Sequence, residues 1–362
     1  MPASDNPFIR YRDRLDSHAR AIAAGLSDTE FVDLVTELDA AVAAVDGRGF
    51  EITPVIDGTA LAAAAGLDVE LWVKTEVANV SGSHKSRHLF GVALHLLVDE
   101  ALGAEPVERL AISSCGNAAL AAGVIARALD RELQVFVPTW ADEPVIDRLD
   151  ELDASITVCE RREGEVGDPC YLRFGEAVAA GSRAFGVQGT DTPTTFDGGR
   201  TLGWELAEQV PGIERIYVQV GGGALSTAVS RGMPEAILHP VQAEGCAPLR
   251  RAWDLLSPDF DLDAAAADPD RFMWAWDDPT GAATGILDDI TYDWLPLLRR
   301  TLDSGGEPVV ASEDDIVRAH ELGRAHTGLD VSATGTAGFA GLLAAPPGSR
   351  ERVAVFFTGV ER

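Results

Sequence analysis

Four short segments of the chain carry residue types that could do chemistry. The first is Ser81-Gly82-Ser83-His84-Lys85-Ser86-Arg87. Small polar residues there lead into an apolar-periodic stretch, which places Lys85 in the first turn of a helix. An ammonium at a helix N-terminus opposes the helix dipole, so the neutral, nucleophilic amine is easier to reach there. The second is Ser114-Cys115-Gly116-Asn117, between a strand and a helix. It offers a hydroxyl, a thiol, an amide and free backbone N–H groups, a set suited to a carboxylate. The third is Val220-Gly221-Gly222-Gly223-Ala224-Leu225, again between strand and helix. Its glycines allow close backbone approach to an anion such as a phosphate, although it is neither a dinucleotide nor a Walker loop. The fourth is Thr358-Gly359, at the end of the last apolar strand, where ligand crevices form in parallel sheets. Each has a plain structural alternative: an exposed helix lysine, a capped helix start with Asn117 as N-cap, a tight turn, and one hydroxyl at a strand end.

Composition sharpens the first segment. The 362 residues include 58 acidic and 29 basic side chains, a net charge of −29. Of those basic residues only Lys74 and Lys85 are lysines. Any reaction that needs a lysine amine therefore has two candidates. Lys74 lies in a strand-like segment beside Glu76, as an ion-paired lysine would, and Lys85 is preferred. The acidic field repels nucleic acid and anionic membrane, so neither is expected as a partner. No apolar run spans a bilayer, and the polar first twenty residues do not read as a secretory signal, which predicts a cytoplasmic protein. Cys115, Cys159, Cys170 and Cys246 show no zinc-type spacing, and no metal is expected.

These segments need elements to position them. Residues 13–46 carry helical spacing. A strand at 71–76 and a helix at 84–100 follow. Strand 107–112, helix 118–129, strand 134–138, helix 144–153 and strand 155–159 alternate. Helix 199–210, strand 215–220, helix 224–232 and strand 238–243 repeat the alternation. Helices at 314–326 and 335–344 precede a last strand at 352–357. Alternating, mostly apolar strands predict an α/β fold with parallel sheets covered on both faces. Residues 258–290 read as a long, irregular surface excursion.

In this order the four segments resemble the fold-type II pyridoxal-phosphate enzymes, the tryptophan synthase β-like family of serine and threonine dehydratases, threonine synthase, serine racemase and cysteine synthase. The resemblance runs from about residue 50 to residue 360. Lys74 to Arg87 is similar to the family's lysine signature, which makes Lys85 the Schiff-base lysine. Ser114 to Asn117 resembles the loop that binds the substrate carboxylate, with Asn117 at the cofactor's ring oxygen and Ser83, Ser114, Cys115 and Gly116 toward the substrate. Gly221, Gly222, Gly223, Ala224 and Leu225 resemble the phosphate loop. Thr358 matches the residue beside the pyridine nitrogen. Gly198 to Glu205, Ala283 to Ile286 and the helix after Ser332 are weaker echoes.

The resemblance implies pyridoxal 5'-phosphate as cofactor, in the cleft between two open parallel-sheet α/β domains. The larger is expected over 1–104 and 186–362, the smaller and mobile one over 105–185, with the chain forming a homodimer. It implies a lyase that performs α,β-elimination on a small amino acid such as serine or threonine. Three alternatives stand beside it: threonine synthase-like replacement, a racemase with Cys115 as a second acid or base, and a non-catalytic relative that binds cofactor or amino acid. Departures from the family are Cys115 before Gly116-Asn117, His84 before Lys85, Ala224 in place of a fourth glycine, and Asp142 and Glu143 where basic residues are usual.

Overall fold

The computed structural model describes residues 4–348 and 350–362. The chain forms ten strands among these residues: β1 (Val55–Asp57), β2 (Glu70–Thr75), β3 (Arg109–Ser113), β4 (Glu132–Pro138), β5 (Ser155–Cys159), β6 (Arg183–Ala184), β7 (Arg215–Gln219), β8 (Ile237–Ala243), β9 (Val309–Ala311) and β10 (Arg352–Phe357). They build two sheets, one in each of two compact units. No helix of the described residues is long and apolar enough to cross a membrane.

One unit comprises residues 53–78 and 202–362. Its sheet has the order β1-β2-β10-β7-β8-β9, parallel except for β1 against β2. β10 lies inside the sheet, and Val353 to Phe357 are all fully buried. The alternation of side chains divides them between two cores. Ala354 and Phe356 join Ile216, Val218, Leu225 and Leu297. Val353, Val355 and Phe357 join Tyr217, Val241, Phe339 and Ile316. A strand apolar on both faces must be covered on both, as the sequence pattern predicts for a parallel sheet.

The second unit comprises residues 4–52 and 79–201. Its sheet is β5-β4-β3-β6, parallel throughout. Helix Asn117–Ala128 is buried from Ala118 to Ala126, and alanines let it lie close to its neighbours. The helical spacing of 13–46 resolves into helices Asp16–Ala23 and Asp28–Asp46. They break at Gly25, whose φ is 104°, and Ser27 opens the longer one in a capping box with Glu30.

The unit boundary differs from the expected 105–185 segment. Residues 79–104, 186–201 and the N-terminal helices group with it. The reason is packing: helix Lys85–Ala101 lies against helix Asn117–Ala128 and against Gly198. Residues 258–290 also differ from a plain surface excursion. Helix Leu262–Ala267 lies within them, and Leu262, Ala265, Phe272 and Met273 complete one core while Ala283 and Ile286 complete the other. The apolar residues are spaced irregularly because they anchor turns rather than one helix face.

Candidate active site

The two lysines have opposite fates. Lys74 is fully buried on β2, and its Nζ donates to Glu205 Oε2 at 2.6 Å, to the Thr53 carbonyl at 2.7 Å and to Gln209 Oε1 at 2.9 Å. Three acceptors use the three donors of an ammonium. Lys85 is half-buried and opens helix Lys85–Ala101, between the buried residues His84 and Ser86.

The chain enters that helix through a tight turn. Ser81 has φ 54° and Gly82 φ 67°, both left-handed, and the Ser81 N–H donates to Asp46 Oδ2 at 3.0 Å. The turn is held further by Ser86 Oγ, which donates to the Ser83 carbonyl at 3.0 Å, and by Asn79 Nδ2, which donates to Ser86 Oγ at 3.3 Å. The Ser83 hydroxyl is fully buried and has no hydrogen-bond partner among the described residues. One turn after Lys85 lies His88, whose Nδ1 sits 2.9 Å from the Thr195 carbonyl. Burial, reinforced by the charge of Lys85, pushes this imidazole down to about 3, so it stays neutral and donates from Nδ1. Arg87 is buried too and donates to Thr201 Oγ1 at 3.0 Å.

Helix Lys85–Ala101 is also fixed by glycine contact. A Cβ on Gly91 would lie 2.5 Å from Gly198 N, and one on Gly198 would overlap the Arg87 carbonyl. Two backbones cross there with no side chain between them. This accounts for the glycine in Gly198 to Glu205 and ties the helix that carries Lys85 to helix Thr195–Gln209.

The Ser114–Asn117 loop leaves the C-terminal end of β3, half-exposed between buried Ile112 and buried Ala118. Gly116, not Asn117, takes the N-cap position, and no side chain caps the helix. Asn117 is already helical, so the capping alternative does not describe it. The Gly116 N–H reaches Ser114 Oγ at 3.5 Å. Cys115 is the one cysteine of the four that is not buried.

In the other unit, Gly223 has φ 103° and starts helix Ala224–Gly232 without a side-chain cap. Each glycine is filled against its surroundings. A Cβ on Gly222 would meet Tyr292 at 3.1 Å, one on Gly223 would meet Asp293 at 3.2 Å, and one on Gly221 would overlap the Asp288 carboxylate. Ala224 and Leu225 are buried in the helix start. Ser226 and Thr227, which the motif reading passed over, bury hydroxyls that have no partner among the described residues. Their types at the start of a helix after three glycines were the available signal.

Thr358 follows β10 and is 2% exposed. Gln219, the last residue of β7, donates from Nε2 to Thr358 Oγ1 at 2.7 Å. The same amide nitrogen reaches the carbonyls of Gly335 at 3.0 Å and Phe356 at 3.1 Å. Because Thr358 Oγ1 accepts from Gln219, its own proton is directed to another acceptor. Gln219 was also missed, since nothing in a strand sequence tells which neighbouring strand end a side chain will reach.

Residues 48–359 match the family described as pyridoxal-phosphate dependent enzyme. The chain belongs to that family. The L-threonine ammonia-lyase of Thermotoga maritima is 28% identical over 182 residues, 48% of this chain and 42% of that protein. The match thus spans under half the length of that relative. Among solved structures, the processed form of threonine deaminase isoform 2 from Solanum lycopersicum superposes with a TM-score of 0.69 at 16% identity, over 94% of this chain and 92% of that one. Maize serine racemase gives 0.69 at 17% identity, over 91% and 93%. These likenesses share the α/β architecture of parallel sheets.

The family's cofactor is pyridoxal phosphate, and the residues of this enzyme fit it. The uncapped helix start after Gly223, with the buried unpartnered hydroxyls of Ser226 and Thr227, suits a phosphate. The buried hydroxyl of Thr358, oriented by Gln219, suits a ring nitrogen that accepts a hydrogen bond. A half-buried amine at Lys85 suits the aldehyde.

Proposed function

We propose that this enzyme is a lyase that eliminates the β-substituent of a small amino acid such as serine or threonine, of the dehydratase or ammonia-lyase type. The observation that carries the reading is the disposal of the lysines. Lys74 is held by Glu205, Thr53 and Gln209, which leaves Lys85 as the amine for the cofactor. In this reading Lys85 would hold the cofactor's aldehyde and, with substrate bound, would take the proton from the substrate Cα as general base. Bound pyridoxal phosphate supplies the electron sink for the charge left on that carbon.

The loop Ser114-Cys115-Gly116-Asn117, with Ser83, receives the substrate. Backbone N–H groups at the helix start hold its carboxylate, and Asn117 holds the ring oxygen. Gly221 to Leu225 cradle the phosphate, with Ser226 and Thr227 adding hydroxyl donors. Thr358 donates to the pyridine nitrogen. An uncharged hydroxyl there leaves the nitrogen unprotonated more often than a carboxylate would, which favours elimination over long-lived carbanion chemistry. The reading includes a homodimer in the cytoplasm, which light scattering and cell fractionation test.

A second reading rests on Cys115, the one unburied thiol, placed in the same loop. As an acid or base on the face of Cα opposite Lys85 it would make the enzyme a racemase, in keeping with the likeness to maize serine racemase.

Borohydride reduction of the holoenzyme followed by peptide mapping is the deciding experiment. A label on Lys85, lost in Lys85→Ala together with keto-acid release from serine or threonine, is the expected result. A label on Lys74 overturns the site, and no bound cofactor makes the chain a binding relative. Formation of the D-amino acid, abolished by Cys115→Ala, selects the racemase. Phosphate release from O-phosphohomoserine selects replacement chemistry.

A further inference from the structure

The two sheets leave four strand edges open, those of β1, β9, β5 and β6. β1, β6 and β9 are only two or three residues long. β5 is the longest, Ser155-Ile156-Thr157-Val158-Cys159, and it pairs with β4 alone. Among the described residues no backbone group of another element bonds its outer edge. Sheets shield an open edge by keeping it short or by placing charge or proline on it. β5 does neither: its five residues carry no charge and no proline, in a chain where 24% of residues are charged.

The faces of β5 are uncovered as well. Cys159 joins Phe136 and Phe174 in a small core, so Ser155 and Thr157 point to that side and Ile156 and Val158 to the other. Ser155 and Thr157 are exposed, Ile156 is half-buried, and Val158 is 58% exposed. In β4, one strand inward, Val135, Phe136 and Val137 are all buried. An uncharged, β-branched strand open on its edge and on both faces is built to meet another strand.

Its sequence is complementary to itself. Set antiparallel to a second copy about a two-fold axis through Thr157, Ile156 of each copy faces Val158 of the other, and Ser155 faces Cys159. Cross-strand pairs of β-branched residues are favourable ones. Just outside the strand, exposed Asp153 comes opposite exposed Arg161 of the second copy, again twice. Other registers lose this match. Moving the axis to Val158 sets Asp153 against Glu163, and moving it to Ile156 leaves Val158 opposite Ala154.

We propose that β5 is the contact between two copies of this chain, which joins their four-stranded sheets edge to edge into one of eight strands. The inference rests on the homodimer of the reading above and names its surface. The contact gives partners to the outward N–H and C=O groups of β5 and withdraws Ile156 and Val158 from water. An edge paired with itself is used up in both copies, and only the two-residue β6 remains at the outer ends, so assembly closes at two. The antiparallel arrangement sets the Ser114–Asn117 loops, which follow the C-terminal ends of the β3 strands, at opposite ends of the joined sheet. Five residues a side make a small interface, so dissociation is expected at about 1–100 µM.

Sedimentation velocity of the holoenzyme from about 1 to 200 µM, with the parent and Val158→Lys, tests the contact. Val158→Lys lies at an exposed position, keeps the fold as circular dichroism checks, and puts a charge opposite Ile156 twice. It is expected to raise the dissociation constant at least tenfold. Thr157→Cys, oxidised with diamide, is expected to give a covalent dimer in which peptide mapping finds residue 157 linked to residue 157. A parent that stays monomeric up to the highest concentration overturns this proposal and the homodimer together. A parent dimer that Val158→Lys leaves unchanged overturns the β5 contact alone and puts the dimer surface elsewhere. So does a parent dimer in which Thr157→Cys forms no link between the two copies of residue 157.

Discussion

Lys74 Nζ donates to Glu205 Oε2 across 2.6 Å, and neither side chain meets solvent. A buried pair of this kind is costly to break from one side, because the remaining charge has neither water nor partner. Lys74→Met is therefore expected to destabilise the fold by about 3–5 kcal/mol, and Lys74→Met/Glu205→Leu to recover most of that. Urea unfolding of the three proteins measures both. The cofactor bound per folded molecule is expected to be unchanged in the double variant. A single variant as stable as the parent would mean that the pair contributes nothing.

The crossing of Gly91 and Gly198 makes a second test, because it joins packing to the position of Lys85. A methyl group at Gly198 would overlap the Arg87 carbonyl, two residues from Lys85. The backbones must separate, since no flexible side chain is there to move. Gly198→Ala is expected to cost about 1–3 kcal/mol and to lower kcat more than it raises KM. Gly175→Ala, in helix Pro169–Ala179 where an added Cβ would meet nothing within 4 Å, serves as the control. Unchanged kcat with lowered thermal stability would uncouple this crossing from the site.

How far the sequence could be read follows from which interactions are local. Strands β5 and β10 and helix Ala224–Gly232 coincide with their predicted spans, because apolar runs bounded by Gly, Pro or charge report on themselves. β1 and β6, three and two residues long, were missed, since a strand so short exists only through its partner. The site divides in the same way. Lys85, the Ser114 loop and the glycines are legible as contiguous motifs. Gln219 acts on Thr358, 139 positions away, and Asp288 abuts Gly221 from within a stretch that reads as surface. Contacts at such separation are made by topology, which no local pattern encodes.

Gln219 gives the third prediction. In the proposed reading it is a positioning residue, reaching the ring nitrogen only through Thr358. Gln219→Leu removes the donor while keeping much of the volume, and it leaves the Gly335 and Phe356 carbonyls with one partner fewer. A stability loss of about 1–3 kcal/mol is expected. A merely structural role ends there. Positioning adds a fall in kcat on the order of tenfold with little change in KM, and a shift in the visible spectrum of the bound cofactor. Gln219→Glu, which accepts where the amide donated, is expected to be worse than Leu in kcat although closer in shape. Equal kcat in all three proteins would remove Gln219 from the site.

His88 gives the last prediction, in the pH dependence of stability. Burial, then the charges of Lys85 and Arg87, hold its folded pKa at about 3 against the Thr195 hydrogen bond that raises it. In the unfolded chain the imidazole titrates near its ordinary value of about 6.5. Between these two values the unfolded state binds one proton more than the folded state, so stability falls as pH drops through that window and is unaffected by this group above it. The slope from one such histidine is about 1.4 kcal/mol per pH unit. Asp197 adds nothing above about pH 3.9: burial acts to raise its pKa, but His95, the Ser17 and Asp16 N–H groups and Arg200 outweigh that and lower it to about 2, so its own contribution is lost only below its unfolded value of about 3.9. His88→Gln retains a donor toward the Thr195 carbonyl and cannot titrate. Denaturant unfolding of both proteins at pH 7.5, 6 and 4.5 is expected to give curves that converge in slope at the highest pH, with the parent losing about 1.4 kcal/mol more per unit below about pH 6.5. Parallel profiles down to pH 4.5 would mean that His88 protonates within the fold, and that the imidazole one turn from Lys85 carries charge.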